Sequence, residues 1–113
     1  MRTEGERRWT LEGARTVLAD VRERTARAVE EAEALVQARR RSPRARRAEI
    51  DRRIQAIVSR WARQMEALGV EVKGAWRVGF DNGSGFYCWR WPEAELDWFR
   101  DYEDGFEDRQ RIQ

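Results

Sequence analysis

The chain contains no histidine. That removes imidazole metal ligands, Ser-His and Cys-His nucleophile pairs, and the usual general base at neutral pH. Cysteine is nearly as scarce. Cys88 stands alone, so the chain can form no internal disulfide and no four-thiolate zinc site. The missing disulfide framework predicts a reducing compartment, the cytoplasm. No apolar run approaches the roughly 20 residues of a membrane span. The opening run Met1-Arg2-Thr3-Glu4-Gly5-Glu6-Arg7-Arg8 lacks the apolar core of a signal peptide. Lysine is absent except for Lys73, so arginine supplies all but one of the 23 basic residues. Such a bias suits phosphate or carboxylate recognition, but the plainer reading is a GC-rich coding or thermophilic habit. No cofactor or metal is expected.

What is present is enough to fold. At 113 residues the chain is one domain's worth. Six Trp, four Phe and two Tyr argue against disorder. The expected fold is α+β: a long antiparallel two-helix hairpin, then a small antiparallel β-hairpin or sheet and a short C-terminal helix. Residues 1–9 read as a flexible leader, 10–68 as the hairpin, and 69–113 as a Trp-rich β segment with an acidic tail.

Thr10 is a plausible N-cap, with Glu12 in the first turn. Leu11, Ala14, Leu18, Val21, Thr25, Ala28, Ala32 and Leu35 then recur in steps of three and four, a heptad stripe interrupted only by Thr25. Val17, Val29 and Val36 widen it, as for a helix packed on more than one neighbour. Asp20–Arg24, Glu23–Arg27 and Arg27–Glu31 are i,i+4 pairs on the other face. Ser42 suits an N-cap and Pro43 a first helical position, so a second helix carries Ile50, Ile54, Ile57, Trp61, Met65 and Leu68 to a stop at Gly69.

The period then changes to two. Val70-Glu71-Val72-Lys73 and Trp76-Arg77-Val78-Gly79-Phe80 read as short strands, and Asp81-Asn82-Gly83-Ser84-Gly85 as a turn. Phe86 to Trp91 returns, bulky on both faces and so covered on both. Pro92 ends it and starts a short helix through Glu93, Leu96, Trp98 and Phe99. Gly79, Gly83 and Gly85 fail the dinucleotide and phosphate-loop spacings and read as turn glycines. The acids Glu93, Glu95, Asp97, Asp101, Glu103 and Asp104 do not meet the calcium-loop pattern.

Three functional readings follow. A first helix from about residue 11 to 38 spans roughly 42 Å, longer than the roughly 34 Å diameter of a compact globule of this size. The β segment cannot shelter it all, which predicts a homodimer through the Leu11–Leu35 and Ile50–Leu68 stripes. Second, Arg39 to Arg53 holds eight arginines against Glu49 and Asp51, and Glu93 to Asp108 holds eight acids against Arg100. The basic tip, with Arg39, Arg40, Arg41, Arg44, Arg46 and Arg47, suits nucleic-acid phosphates, although no helix-turn-helix, zinc-finger or stacking motif accompanies it. Third, Cys88, Arg90, Glu93, Arg109 and Gln110 are candidates for a ligand or enzymatic pocket. A guanidinium beside Cys88 would favour thiolate, whereas a cysteine between Phe86 and Trp89 also reads as a small buried hydrophobe. The leading expectation is a non-catalytic interaction protein.

Gly69-Val70-Glu71-Val72-Lys73, Cys88-Trp89-Arg90, Gly105-Phe106 and Arg109-Gln110 together resemble the prokaryotic domain-of-unknown-function 2203 family. The resemblance covers nearly the whole chain and implies a helical, coiled-coil-like first half, but no mechanism. The chain departs from the family pattern at Gly79, where that pattern has Asp, near Pro92, where it has Gly, and at Phe99, where it has His. If Cys88, Arg90, Glu93, Arg109 and Gln110 line a site in that family, this member lacks the Asp and His that would make it reactive.

Overall fold

A computed structural model describes residues 8–113. The order is α1 (Leu11–Arg40), α2 (Arg44–Ala67), then five strands: β1 (Glu71–Gly74), β2 (Arg77–Asp81), β3 (Gly85–Arg90), β4 (Trp98–Asp101) and β5 (Gln110–Arg111). The strands form one antiparallel meander in chain order. The chain is therefore α+β, as its patterning predicts. The radius of gyration, 16.0 Å, exceeds the roughly 13 Å of a compact chain this long. The long axis measures 48 Å. Among the described residues, no helix is long and apolar enough to cross a membrane.

α1 begins where Thr10 Oγ1 accepts from the Gly13 amide at 3.0 Å. Its heptad residues Ala14, Leu18, Val21, Thr25, Ala28 and Ala32 are all buried. Thr25 breaks the apolar stripe without cost, because both its hydroxyl functions are met. It donates to the Val21 carbonyl at 2.7 Å and accepts from Trp61 Nε1 at 2.8 Å. The Trp61 ring then meets Trp76 edge-on at 5.0 Å, tying both helices to the sheet. Asp20–Arg24 and Glu23–Arg27 form within α1 at 2.8 and 2.7 Å. Glu31 instead reaches across to Arg60 on α2 at 2.9 Å.

Two helix-end expectations resolve differently. Pro43, with ψ at 150°, is the N-cap of α2, and Arg44 is its first helical residue. Ser42 does not cap α2; its hydroxyl donates to Ala38 O at 2.7 Å, closing a terminal carbonyl of α1. Gly69 behaves as expected. It takes φ 84° just past the Leu68 cap, while the Val70 amide returns to Met65 O at 3.0 Å.

The leader assigned to residues 1–9 lies outside the described residues at 1–7, and Trp9 belongs to the core. It is 7% exposed, packs edge-on against Phe80 at 5.2 Å, and donates from its indole to Gly69 O at 3.1 Å.

The short helix predicted from Pro92 through Phe99 is absent. Residues 92–97 turn under Trp89, whose indole donates to Glu93 O at 2.8 Å, and Leu96 is fully buried there. Trp98 and Phe99 then form β4 against β3. The physical reason is that Gly85–Cys88 would otherwise present an unpaired strand edge, and Trp98 and Phe99 fit the alternation of a strand. The only C-terminal helical element among the described residues is a 3₁₀ turn at Phe106–Asp108. Gly79 and Gly85 are strand residues, not turn glycines. A Cβ on Gly85 would sit 2.1 Å from the Arg100 carbonyl oxygen, so only glycine lets β4 approach.

Strand register sorts the sheet into two faces. Val78, Phe80 and Trp89 are fully buried toward the helices. Gly79, Cys88 and Trp98 form a row on the outer face, with Phe86 and Arg100 beside them.

The Thr25–Trp61 hydrogen bond yields a direct test. Thr25→Val keeps the volume but leaves a buried indole N–H unpaired, and should cost about 1–3 kcal/mol in urea unfolding. Adding Trp61→Phe, which removes the orphaned donor, should couple non-additively with it. Strict additivity would refute the bond's role.

Candidate functional site

The outer sheet face gathers most of the polar residues singled out from the sequence. Arg109 grips Glu93 at two points, Nη1 to Oε1 at 3.1 Å and Nη2 to Oε2 at 2.9 Å. The Arg90 amide also donates to Glu93 Oε1 at 3.0 Å, and Arg90 Nε lies 3.7 Å from Oε2. Arg90 and Arg109 therefore meet at one carboxylate. Glu107 joins Arg77 at 3.3 Å and Arg90 at 3.8 Å. The Arg109 guanidinium lies 4.8 Å from the Trp98 ring and 4.9 Å from Phe106, so the last segment is held onto the sheet by cation–π contacts. Gln110 is not part of this cluster. It pairs with Phe99, which alternation places on the face opposite Trp98, and it is exposed.

Two members went unrecognised in the sequence. Lys73 Nζ sits 3.8 Å from the Phe86 ring centroid, and the Arg100 guanidinium sits 4.7 Å from the same centroid. Arg100 is 8% exposed and donates to Asp104 O at 2.6 Å. The sequence marks it only as the one cation in the acidic run; its place beside Phe86 follows from the pairing of β3 with β4.

Cys88 lies under this layer, fully buried, with its thiol donating weakly to Phe86 O at 3.5 Å. Burial pushes the thiol pKa up from its ordinary 9.0, against the opposing pull of Arg100, Arg109 and Lys73. Desolvation outweighs the cations, so the thiol stays neutral at physiological pH. Glu93, already engaged by Arg109 and Arg90, has its lone pairs committed. The arrangement is a knitted ionic cover over an apolar floor. Chemically, it holds the C-terminal segment down.

The hairpin beyond the sheet carries two further surfaces. Half-buried Val29 and Val36 on α1, and Ile54 and Val58 on α2, make the first. Each helical residue advances about 100°, so Glu31 projects nearly opposite Val29, and Arg60 nearly opposite Val58. Because Glu31 and Arg60 are bonded to each other, they mark one edge of the hairpin, and the four aliphatic side chains share the other. Arg15 projects close to the direction of Val29 and donates to Leu96 O at 3.1 Å. The aliphatic strip therefore continues, beyond the sheet, the same side that the sheet covers below.

The second surface is the tip. Arg39 bonds Asp51 at 2.6 Å and Arg52 bonds Glu49 at 2.7 Å, which uses both acids of this stretch. Among the described residues, Arg40, Arg41, Arg44, Arg46, Arg47 and Arg53 form no ion pair; Arg47 donates only to Ser42 O.

A helical hairpin capped on one side of its base by a five-stranded antiparallel meander defines the class. The chain belongs to the family described as an uncharacterized conserved protein, DUF2203, whose pattern matches residues 7–112 and so runs through hairpin and sheet alike. No curated protein and no solved structure matches it. Gly79 and Phe99 fall on opposite faces of the sheet: Gly79 pairs with Cys88, whereas Phe99 pairs with Tyr87.

Cys88 should resist a small alkylating reagent in the native state near neutral pH and react on unfolding; rapid native modification would contradict the burial argument. Since its thiol stays protonated in the fold above 9.0 while the unfolded thiol ionises there, stability should fall as pH rises past that value. Denaturation between about pH 8 and about pH 10 should show this decline lessened in Cys88→Ala.

Proposed function

We propose that this protein is a non-catalytic interaction module that self-associates through the distal half of its hairpin. The observation that carries the reading is the half-buried strip of Val29, Val36, Ile54 and Val58, none of which is among the side chains packed on the core that joins hairpin and sheet. The heptad stripe itself is spent inside the chain, where Ala14 to Ala32 and Ile50 to Met65 bury most of their side chains. The strip beside it offers apolar surface to a second copy; on the Glu31–Arg60 side, Ala34, Leu35 and Ala56 are apolar too but are framed by Glu31, Arg53 and Arg60.

Magnitude sets the character of such an association. The distal hairpin, about 17 residues per helix, offers a side about 25 Å long and about 20 Å wide, or roughly 500 Å² per chain. A pair buries roughly 1,000 Å², the lower end for specific interfaces. The dimer is accordingly weak and concentration-dependent. A binding role is also supported by the outer face, where Cys88 is covered and Glu93 is occupied by arginines. The lone buried thiol suits a reducing interior, and we place the protein in the cytoplasm on that ground.

Size-exclusion chromatography with light scattering should show mass rising from one chain toward two as concentration increases. Val29→Glu with Val58→Glu should hold the protein at one chain while leaving its helical circular dichroism unchanged. A wild-type protein that stays monomeric throughout overturns the proposal.

A further inference from the structure

Arginine is used in two ways in this molecule, and the contrast assigns a role to the hairpin tip. Away from the tip, Arg15, Arg24, Arg27, Arg60, Arg77, Arg90, Arg109 and Arg111 each reach a carboxylate, while Arg22 and Arg63, set apart from one another on different helices, reach none among the described residues. At the tip the balance inverts. Two acids are taken by Arg39 and Arg52, and six guanidiniums between Arg40 and Arg53 have no carboxylate within the described residues.

Arg40, in the last turn of α1, sits where a helix end favours a cation, but the start of α2 is electrostatically unfavourable for its arginines. Arg46 and Arg47 lie in the first turn of α2, which contains no acid. Helix N-termini favour negative charge by about 0.3–1 kcal/mol per group, so these cations sit where the backbone opposes them. Mutual repulsion among six like charges adds to that cost. An external polyanion relieves both.

We infer that the hairpin tip binds the phosphate backbone of duplex nucleic acid, independently of sequence. The residues present specify this class. Guanidinium matches phosphate with two parallel hydrogen bonds, and every cation of the tip is arginine. Between Arg39 and Arg53 there is no aromatic residue, so nothing offers a stacking platform for unpaired bases. There is also no Asn or Gln in that stretch to read base edges. Backbone contact alone remains, which favours the duplex, with its higher charge density.

The acidic segment does not oppose this. Asp101 ends β4 opposite Gly85, Glu103 and Asp104 follow it, and the sheet packs on the hairpin base. The long axis is 48 Å, several Debye lengths of about 8 Å at physiological salt. The tip projects away from the sheet and is available whether or not two hairpins pair along the strip.

The test is gel retardation and fluorescence anisotropy of the full chain with a random-sequence duplex of about 20 base pairs, read across a salt series. With four to six phosphate contacts, log K should fall against log salt with a slope of about −4 to −5. Arg41→Gln and Arg44→Gln, both exposed, should each lower the slope by about 1. Arg22→Gln, an exposed arginine distant from the tip, should leave it unchanged. Overturning results are the absence of binding at about 0.05 M salt, where screening is weak, a slope indifferent to the tip substitutions, or equal affinity for polyglutamate. Stronger binding of a single strand than of the duplex would also overturn it. Unchanged circular dichroism of the variants separates a lost contact from a lost fold.

Discussion

The hydrogen bond from the Trp61 indole to the Thr25 hydroxyl organises the rest of the molecule. It is buried, links residues 36 apart, and allows only one axial alignment of the two helices. A slip of one residue would leave the buried indole N–H without its acceptor, although the hydroxyl would keep its bond to the Val21 carbonyl. Because that alignment is set, the Glu31–Arg60 pair falls on one edge of the hairpin and the valines and isoleucine on the other. The same indole carries Trp76, and through it the first turn of the sheet. Trp76 adopts φ 62°, an uncommon backbone setting for a bulky residue, and its ring contact with Trp61 helps hold it there.

Electrostatics divides the molecule by solvent access more than by charge count. On the outer sheet face, guanidiniums sit against aromatic rings, and three arginines share two glutamates. Lysine would not substitute for most of them, since a compact ammonium offers neither the planar stack nor the two-point grip. At the tip two of the eight arginines, Arg39 and Arg52, take the two local acids, and the other six have no carboxylate partner among the described residues. A net charge of +2 conceals this separation.

Local signals carried much of the architecture. The heptad repeat, the Thr10 cap and the Gly69 stop are short-range features, and they mark α1 and α2 closely. Period-two alternation identified the first three strands for the same reason. What escaped depended on distant partners. Trp9 looks like the end of a polar leader until Phe80 and Gly69 are brought beside it. Trp98 and Phe99 fit a helix after Pro92 as well as a strand, and only the open edge of β3 decides. Ser42 has a capping side chain, but the nearest unmet group was a carbonyl behind it. The convergence of Arg90 and Arg109 on Glu93 depends on the path of the last segment across the sheet. Lys73 and Arg100 joined the cluster through strand register, which their spacing alone could not establish.

The division of labour within the hairpin has an evolutionary consequence. At the base the helices pack on the sheet, and along the hairpin they pack on each other. Inserting one heptad into each helix, after Leu35 and before Ile50, would extend the arm by about 10 Å and leave its seam in phase. No contact at the base would change. Reach is thus a property that lineages can adjust separately from stability, much as a spacer is chosen apart from the parts it joins.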